Sequence, residues 1–190
     1  MLGNLTLPHP YIVLDACCVI NLFASGKMAE ILVSIPKSFA VAVYVVNEET
    51  LNYYDGPIEN VRLIIKKIDL QPLIDSNIIV PVEIESEEEQ SAYVYFATQL
   101  DDGEAISGAI SMCRNWAIAT DDKKAIRVFK QEMPHITLVS TLDLVKNWVE
   151  VTHQEREMIQ IVLENIRYKA NYDPRNHPLY EWWKSYFEDN

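Results

Sequence analysis

The sequence predicts an α/β fold: a sandwich with a central, mainly parallel sheet between helices, followed by a helical C-terminal extension. Three observations lead there. Four short segments are apolar and rich in β-branched or aromatic residues: Tyr11 to Leu14, Phe39 to Val46, Trp116 to Ala119 and Ile136 to Val139. Their apolarity covers both faces, the pattern of parallel strands buried on both sides. Helical periodicity fills the intervals, notably Val61 to Ile68, Ser91 to Leu100, Glu104 to Cys113 and Lys123 to Phe129, and strands alternating with helices stack as sheet and helix layers.

Along the chain, the first strand runs through Tyr11 to Leu14 and stops at Asp15 within the apolar stretch YIVLDACCVINLF. The second ends at Asn47, Glu48 and Glu49. Ile78 to Val82 reads as an edge strand or a connection, because Pro81 removes a ladder donor. Ser86, three residues before Glu89, has capping-box spacing, so the acidic run from Glu83 to Glu89 reads as a solvated helix start. From Thr141 the chain is helical through Leu142 to Val149 and again from about Glu155 to Tyr168. The turn-rich stretch NYDPRNHP interrupts it, and Leu179 to Phe187 carries Tyr180, Trp182, Trp183, Tyr186 and Phe187 at partly helical spacing. Those aromatics must be buried, either against their own domain or against a partner. The expected division is residues 10–145 as the α/β domain and 146–190 as an extension packed on it.

Composition narrows the function. With 190 residues and 49% hydrophobic content, one domain with a sizeable core is expected rather than a disordered or fibrous chain. No apolar run approaches the roughly 20 residues of a membrane span, and MLGNLTLPHP lacks a charged start followed by an apolar stretch. Cys17, Cys18 and Cys113 are odd in number with two adjacent, which fits a reducing compartment, so the expected location is cytoplasmic. Scattered histidines and the absence of closely paired cysteines with metal spacing argue against structural zinc. A net charge of -12 opposes nonspecific nucleic-acid binding, unless some of the acids hold a cation that reverses the local field.

The acids are placed to do that. In a parallel sheet every strand-to-helix junction lies on one edge, where such folds build their sites. Asp15 ends the first strand, Asn47, Glu48 and Glu49 the second, and Asp121 and Asp122 the one after Trp116; Asp101, Asp102 and Glu104 open a helix whose N-terminus points to the same edge. Four carboxylates about 5 Å apart would repel by roughly 3 kcal/mol per pair at an effective dielectric near 20. A hard divalent cation, Mg²⁺ or Mn²⁺, supplies the missing charge through oxygen ligands. Such an ion activates water and steadies a phosphate in in-line displacement. Each acid alone also reads as a helix cap, most simply Asn47, Asp101 with Glu104, and either Asp121 or Asp122. Asp15 resists that reading, because a buried unpaired carboxylate is costly.

VLDACCVINLF resembles the opening of PIN domains, in which an Asp ends the first strand before an apolar helix. LDDGEAISGAIS resembles the Gly-Glu-Ala helix start of one branch of that family, and ATDDKKAIRVF its late strand ending in Asp. The resemblance covers roughly residues 10 to 145 and lies in the order and spacing of the three pieces together. It implies a PIN-like sandwich, a VapC-like metal-dependent ribonuclease with Mg²⁺ or Mn²⁺, an RNA substrate, and the protein partners of such toxins: an antitoxin-like protein, with a homodimer also open. Carried over residue by residue, it places Asp15, Glu48, Glu104 and Asp122 as catalytic, with Asp121 sharing the fourth metal position and Glu49 rivalling Glu48. Where the family often has Ser, Thr or Asn two residues after the first Asp, this chain has Cys17, a weak hydrogen-bond partner, with Asn21 as a less favoured substitute.

Lys123, Lys124 and Arg127 could meet phosphates or form a solvated helix face. Two other functions compete. A catalytically silent PIN-like module acting through a partner is favoured by Cys17 and by the acidic charge. A Mg²⁺ phosphohydrolase of the aspartyl-phosphate type is disfavoured because the first strand lacks a paired Asp-x-Asp.

Overall fold

The structure is a computed structural model and describes residues 7–56 and 64–188. Its elements run β1 (Tyr11–Leu14), α1 (Ala16–Ala24), α2 (Met28–Val33), β2 (Ser38–Ala42), α3 (Val43–Asn47), β3 (Asn52–Asp55), β4 (Ile64–Lys67), α4 (Gln71–Asp75), β5 (Ile79–Val82), α5 (Glu87–Ala97) and α6 (Asp102–Arg114). They continue with β6 (Ala117–Ala119), α7 (Lys123–Glu132), β7 (Leu138–Val139), α8 (Thr141–Thr152), α9 (Arg156–Lys169) and α10 (Tyr180–Lys184). The expected α/β sandwich is present: a five-stranded sheet in the order β5-β2-β1-β6-β7, parallel at each of its four pairings.

Handedness sets the layers. The crossover from β1 to β2 moves one way along the sheet, and those from β5 to β6 and from β6 to β7 move the other. Right-handed crossovers therefore put α1 and α2 on one face and α5, α6 and α7 on the opposite one. Packing agrees: α8 lies against α2 and α9 against α1, while α6 covers β1, β2 and β6. Phe129 of α7 presses on Gly108 of α6, where an added Cβ would stand 2.5 Å from its ring, so only glycine lets these helices approach. The strands between these layers are wholly buried at Ile12, Val13, Leu14, Ala40, Val41 and Ile118.

Three expectations are corrected. The strand expected over Phe39 to Val46 ends at Ala42, and Val43–Asn47 coils into α3. The reason is pairing: β1 reaches β2 only as far as Val13 opposite Ala40, and β5 stops at Val82 opposite Ala42, so beyond Ala42 the β-branched run has no neighbour to bond. The helix expected over Val61 to Ile68 is also absent where it is described. Residues 61–63 lie outside the described residues, and Ile64–Lys67 is a strand antiparallel to β3. The hairpin they form is anchored by Tyr53 against Phe23 at 5.3 Å and by Ile68 N–H on the Leu51 carbonyl at 2.8 Å. Ile79–Val82 is an edge strand, the one sheet position that tolerates Pro81. In the acidic run, Glu89 is buried and ion-paired with Arg114 at 2.6 Å rather than solvated.

The C-terminal aromatics dock on their own chain. Trp183 is buried and belongs to the main core with Ile159, Val162, Leu163 and Ile166 of α9. Arg156 holds the far side, its guanidinium 5.1 Å from the Tyr186 ring and donating to the Ser185 carbonyl at 2.6 Å. No helix among the described residues is long and apolar enough to cross a membrane.

Candidate active site

Chain order along the sheet reverses between β1 and β6, since β2 and β5 lie to one side and β7 to the other. In open α/β sheets, ligands bind outside the carboxyl ends of the strands at such a switch point. Asp15 follows β1 there and Thr120 follows β6, joined side by side through the Asp15 N–H on the Ala119 carbonyl at 3.0 Å.

Asp15 is 1% exposed. Its Oδ1 accepts from the Ala16 N–H at 2.8 Å, and its Oδ2 accepts from the Thr120 hydroxyl at 2.8 Å and the Cys17 thiol at 3.4 Å. Burial raises its pKa and the Asp122 charge adds to that, while the three donors pull the other way. Cys17 stands where a hydroxyl or amide was expected, and it still donates to Asp15. Its sulfur also accepts from the Asp121 N–H at 3.2 Å, which ties the two junctions together.

The adjacent Asp121 and Asp122 separate into different roles. Asp122 caps α7, its Oδ1 accepting from Lys124 N–H at 2.7 Å and Ala125 N–H at 2.8 Å, and its described hydrogen bonds leave Oδ2 open. Asp121 turns toward α1 and α8. It accepts from Asn21 Nδ2 at 2.9 Å, the Cys18 thiol at 3.4 Å, the Thr141 hydroxyl and the Tyr172 hydroxyl at 3.3 Å. So many donors on one carboxylate make Asp121 a structural node, and Asn21 serves that node rather than Asp15. Burial, followed by the charge of Asp121, pushes the Tyr172 hydroxyl far above its ordinary pKa.

Glu104 completes a group of three. It sits in the first turn of α6, where its carboxylate also accepts a backbone hydrogen bond from Asp101. Burial, then the charges of Asp122 and Asp15, raises its pKa to about 7. Asp15, Asp122 and Glu104 thus feel one another from three separate elements. Asp101 makes no side-chain cap bond, and Asp102 is engaged by Tyr93 at 2.9 Å and Tyr44 at 3.4 Å.

The second junction is displaced by α3. Glu48 is exposed at the end of that helix and lines a recess with Val82, Glu83 and Ile84. Glu49 folds back onto α6, its carboxyl carbon 3.2 Å from where a Cβ on Gly103 would lie. Of the two rivals, Glu49 is the one beside the Gly103–Glu104 turn. Lys123, Lys124 and Arg127 are exposed, and Lys123 borders a cavity of about 410 Å³ with Thr120, Ile126, Lys130, Tyr172 and His177.

Among the described residues, the set of three acid, thiol or imidazole ligand atoms within 4.8 Å of one another is Cys17, Cys18 and Asp121, not the carboxylates. Those three are already bonded to each other, and burial drives the Cys18 thiol well above its ordinary pKa, so it is held as a neutral donor. Asp15, Glu104 and Asp122 do not form such a set among the described residues. Sequence reasoning missed Thr120, the hydroxyl that orients Asp15. Its position directly before the Asp pair, one residue past an apolar strand, is the signal that could have found it. No family model, no curated protein and no solved structure matches this chain.

Proposed function

We propose that the chain is a divalent-metal-dependent ribonuclease whose centre is Asp15, Glu104 and Asp122, with Glu49 the nearest fourth acid. The observation that carries this reading is the meeting of the three carboxylates at the switch point, where burial first and then the charges of Asp122 and Asp15 raise the Glu104 pKa to about 7. Structural caps have no need to converge. The donor set fits a hard cation: every group is an oxygen donor, Asp122 keeps one oxygen open, and the field has no described cation partner among the chain's own side chains. When bound, Mg²⁺ or Mn²⁺ would activate water and stabilise charge on a phosphodiester.

The chain's residues prepare that chemistry. Thr120 and Cys17 fix the Asp15 carboxylate from one side and Ala16 from the other, so its oxygens are oriented before any ligand arrives. The first-turn amides of α7 anchor Asp122 through one oxygen only. Glu104, its pKa raised to about 7, can take up or release a proton at its carboxylate. The test is Mn²⁺-dependent cleavage of RNA without hydrolysis of small phosphomonoesters, abolished in Asp15→Asn. A silent binding module is the second reading, favoured by the full set of donors already on Asp15. No response of either stability or activity to Mg²⁺ and Mn²⁺ would select it.

A further inference from the structure

We propose that the C-terminal extension carries a docking site for the RNA strand, outside the acid edge, where a base lies on tyrosine rings and the adjoining phosphates meet arginine and lysine. The inference rests on the ribonuclease reading and addresses its main difficulty: a chain with 16 cationic and 28 acidic side chains must hold a polyanion. A recess of about 490 Å³ between the end of α9, residues 171–175 and α10 has more cations than carboxylates in its lining, with Glu188 pairing Lys184 at its rim. Arg167, Arg175 and Lys184 line it, and Asp173 is the one carboxylate in its lining among the described residues.

One of these cations has no ion pair among the described residues, and the other two are held by exposed pairs. Arg167 lies over the rings of Tyr168 at 5.3 Å and Phe187 at 5.5 Å, with no carboxylate within ion-pair distance among the described residues. Arg175 pairs with Asp173 at 2.7 Å and Lys184 with Glu188 at 2.7 Å, and both pairs are largely exposed. Exposed pairs contribute little to stability, so a phosphate can replace the carboxylate at small cost.

The floor is aromatic. Tyr172 and Trp183 stack at 6.0 Å with 14° between their planes, and Trp183 is buried. In the same lining Tyr168, 42% exposed with Arg167 over one face of its ring, and the half-buried Tyr180 present further ring surface. Open rings bordered by cations are the two components that hold single-stranded nucleic acid: base stacking and backbone charge. The volume falls within the range of small-ligand cavities and so accepts one nucleotide unit. Tyr172, Asp173 and Pro174 line both this recess and the cavity that contains Thr120 and Asp121. A strand held here is therefore one chain segment away from the acid edge.

The test is fluorescence anisotropy with the full chain in EDTA and a labelled single-stranded RNA oligonucleotide. The double variant Arg167→Gln with Lys184→Gln is expected to weaken binding at least about tenfold and to flatten the plot of log K against log salt by about 1.4, the release expected for two single-strand phosphate contacts. Tyr168→Leu, at an exposed ring, should weaken binding by roughly fivefold to a hundredfold, the range of one base–aromatic stack. Melting temperatures of the variants check that the fold is kept. Unchanged affinity and salt slope in folded variants overturn the proposal, as does binding of adenosine monophosphate alone as tight as that of the oligonucleotide. Two controls separate this site from cleavage. Asp15→Asn should still bind RNA in EDTA while cutting none, and the double variant should keep the rise in melting temperature that Mn²⁺ gives the wild type. RNA that is cut but binds the double variant normally removes the docking site alone. RNA held through these residues but never cut removes the ribonuclease reading and leaves the docking site standing.

Discussion

Replacing Glu104 with Gln should stabilise the metal-free protein at pH 8. Its carboxyl is raised from 4.5 to about 7, by burial first and then by the charges of Asp122 and Asp15. Each unit corresponds to about 1.4 kcal/mol, so the full shift would be about 3.4 kcal/mol; Glu104 is partly exposed, and solvent screening reduces this to about 1–2 kcal/mol. For a chain of this size that is roughly a 3–6 °C rise in melting temperature. The sign follows from linkage. Below about pH 4.5 the group is protonated whether the chain is folded or not, and the shift contributes nothing. Between about 4.5 and 7 the folded state binds the proton more tightly, so wild-type stability falls with rising pH and the full penalty stands above about 7. The advantage of Glu104→Gln should therefore open across that window and stay constant above it, as read by thermal melts in EDTA. With millimolar Mn²⁺ the order should narrow or invert, because the wild type gains a ligand that the variant has weakened. A Gln variant less stable than wild type at pH 8 in EDTA, or a difference that does not change with pH, would refute the shared field.

Millimolar Mg²⁺ or Mn²⁺ should raise the wild-type melting temperature, by about 2.7 kcal/mol of stabilisation at a hundredfold excess over Kd; identical melts with Mn²⁺ and with EDTA count against the site. Asp15→Asn should abolish RNA cleavage while leaving the metal-free fold intact, since the carboxylate it replaces is held at raised pKa by burial; full activity in a nuclease assay would sink the mechanism. Asp121→Asn should destabilise by about 1–3 kcal/mol, because an amide turned toward Asn21, Thr141 and Tyr172 leaves buried donors facing a donor; an unchanged denaturant midpoint would contradict its role as a structural node. Trp183→Ala should cost about 3–5 kcal/mol at every protein concentration, as for a core aromatic; a loss confined to self-association would instead mark a surface residue.

The legible part of the fold was the part governed by hydrophobic pattern. Tyr11 to Leu14 and the helix after Asp101 announce themselves because their burial is set by local periodicity. Phe39 to Val46 did not, because nothing in the run VAVYVV states that its neighbours stop pairing at Ala42. The hairpin of Asn52–Asp55 and Ile64–Lys67 was hidden for a similar reason: VRLIIKKI carries both helical spacing and β-branched content, and only a pairing partner decides between them. At the site, sequence order brought Asp15, Glu104 and the Asp121–Asp122 pair to one edge. It could not say that adjacent aspartates take different partners, nor that Glu48 is exposed at the end of α3 while Glu49 folds back on Gly103, because those are outcomes of side-chain packing. Thr120 escaped for want of charge.

The Tyr172 hydroxyl on Asp121 has a consequence for biosynthesis. The five strands are complete at Val139, yet Tyr172 and the turn that walls the cavity beside Thr120 leave the ribosome only after α8 and α9 have followed. Until then Asp121 lacks one of its donors and Trp183 has not yet sealed the core. A nascent chain can thus hold the whole sheet while its acid edge is still unwalled. Maturation of the site lags behind folding of the scaffold, and a chain arrested after β7 would carry the acids without the surface that borders them.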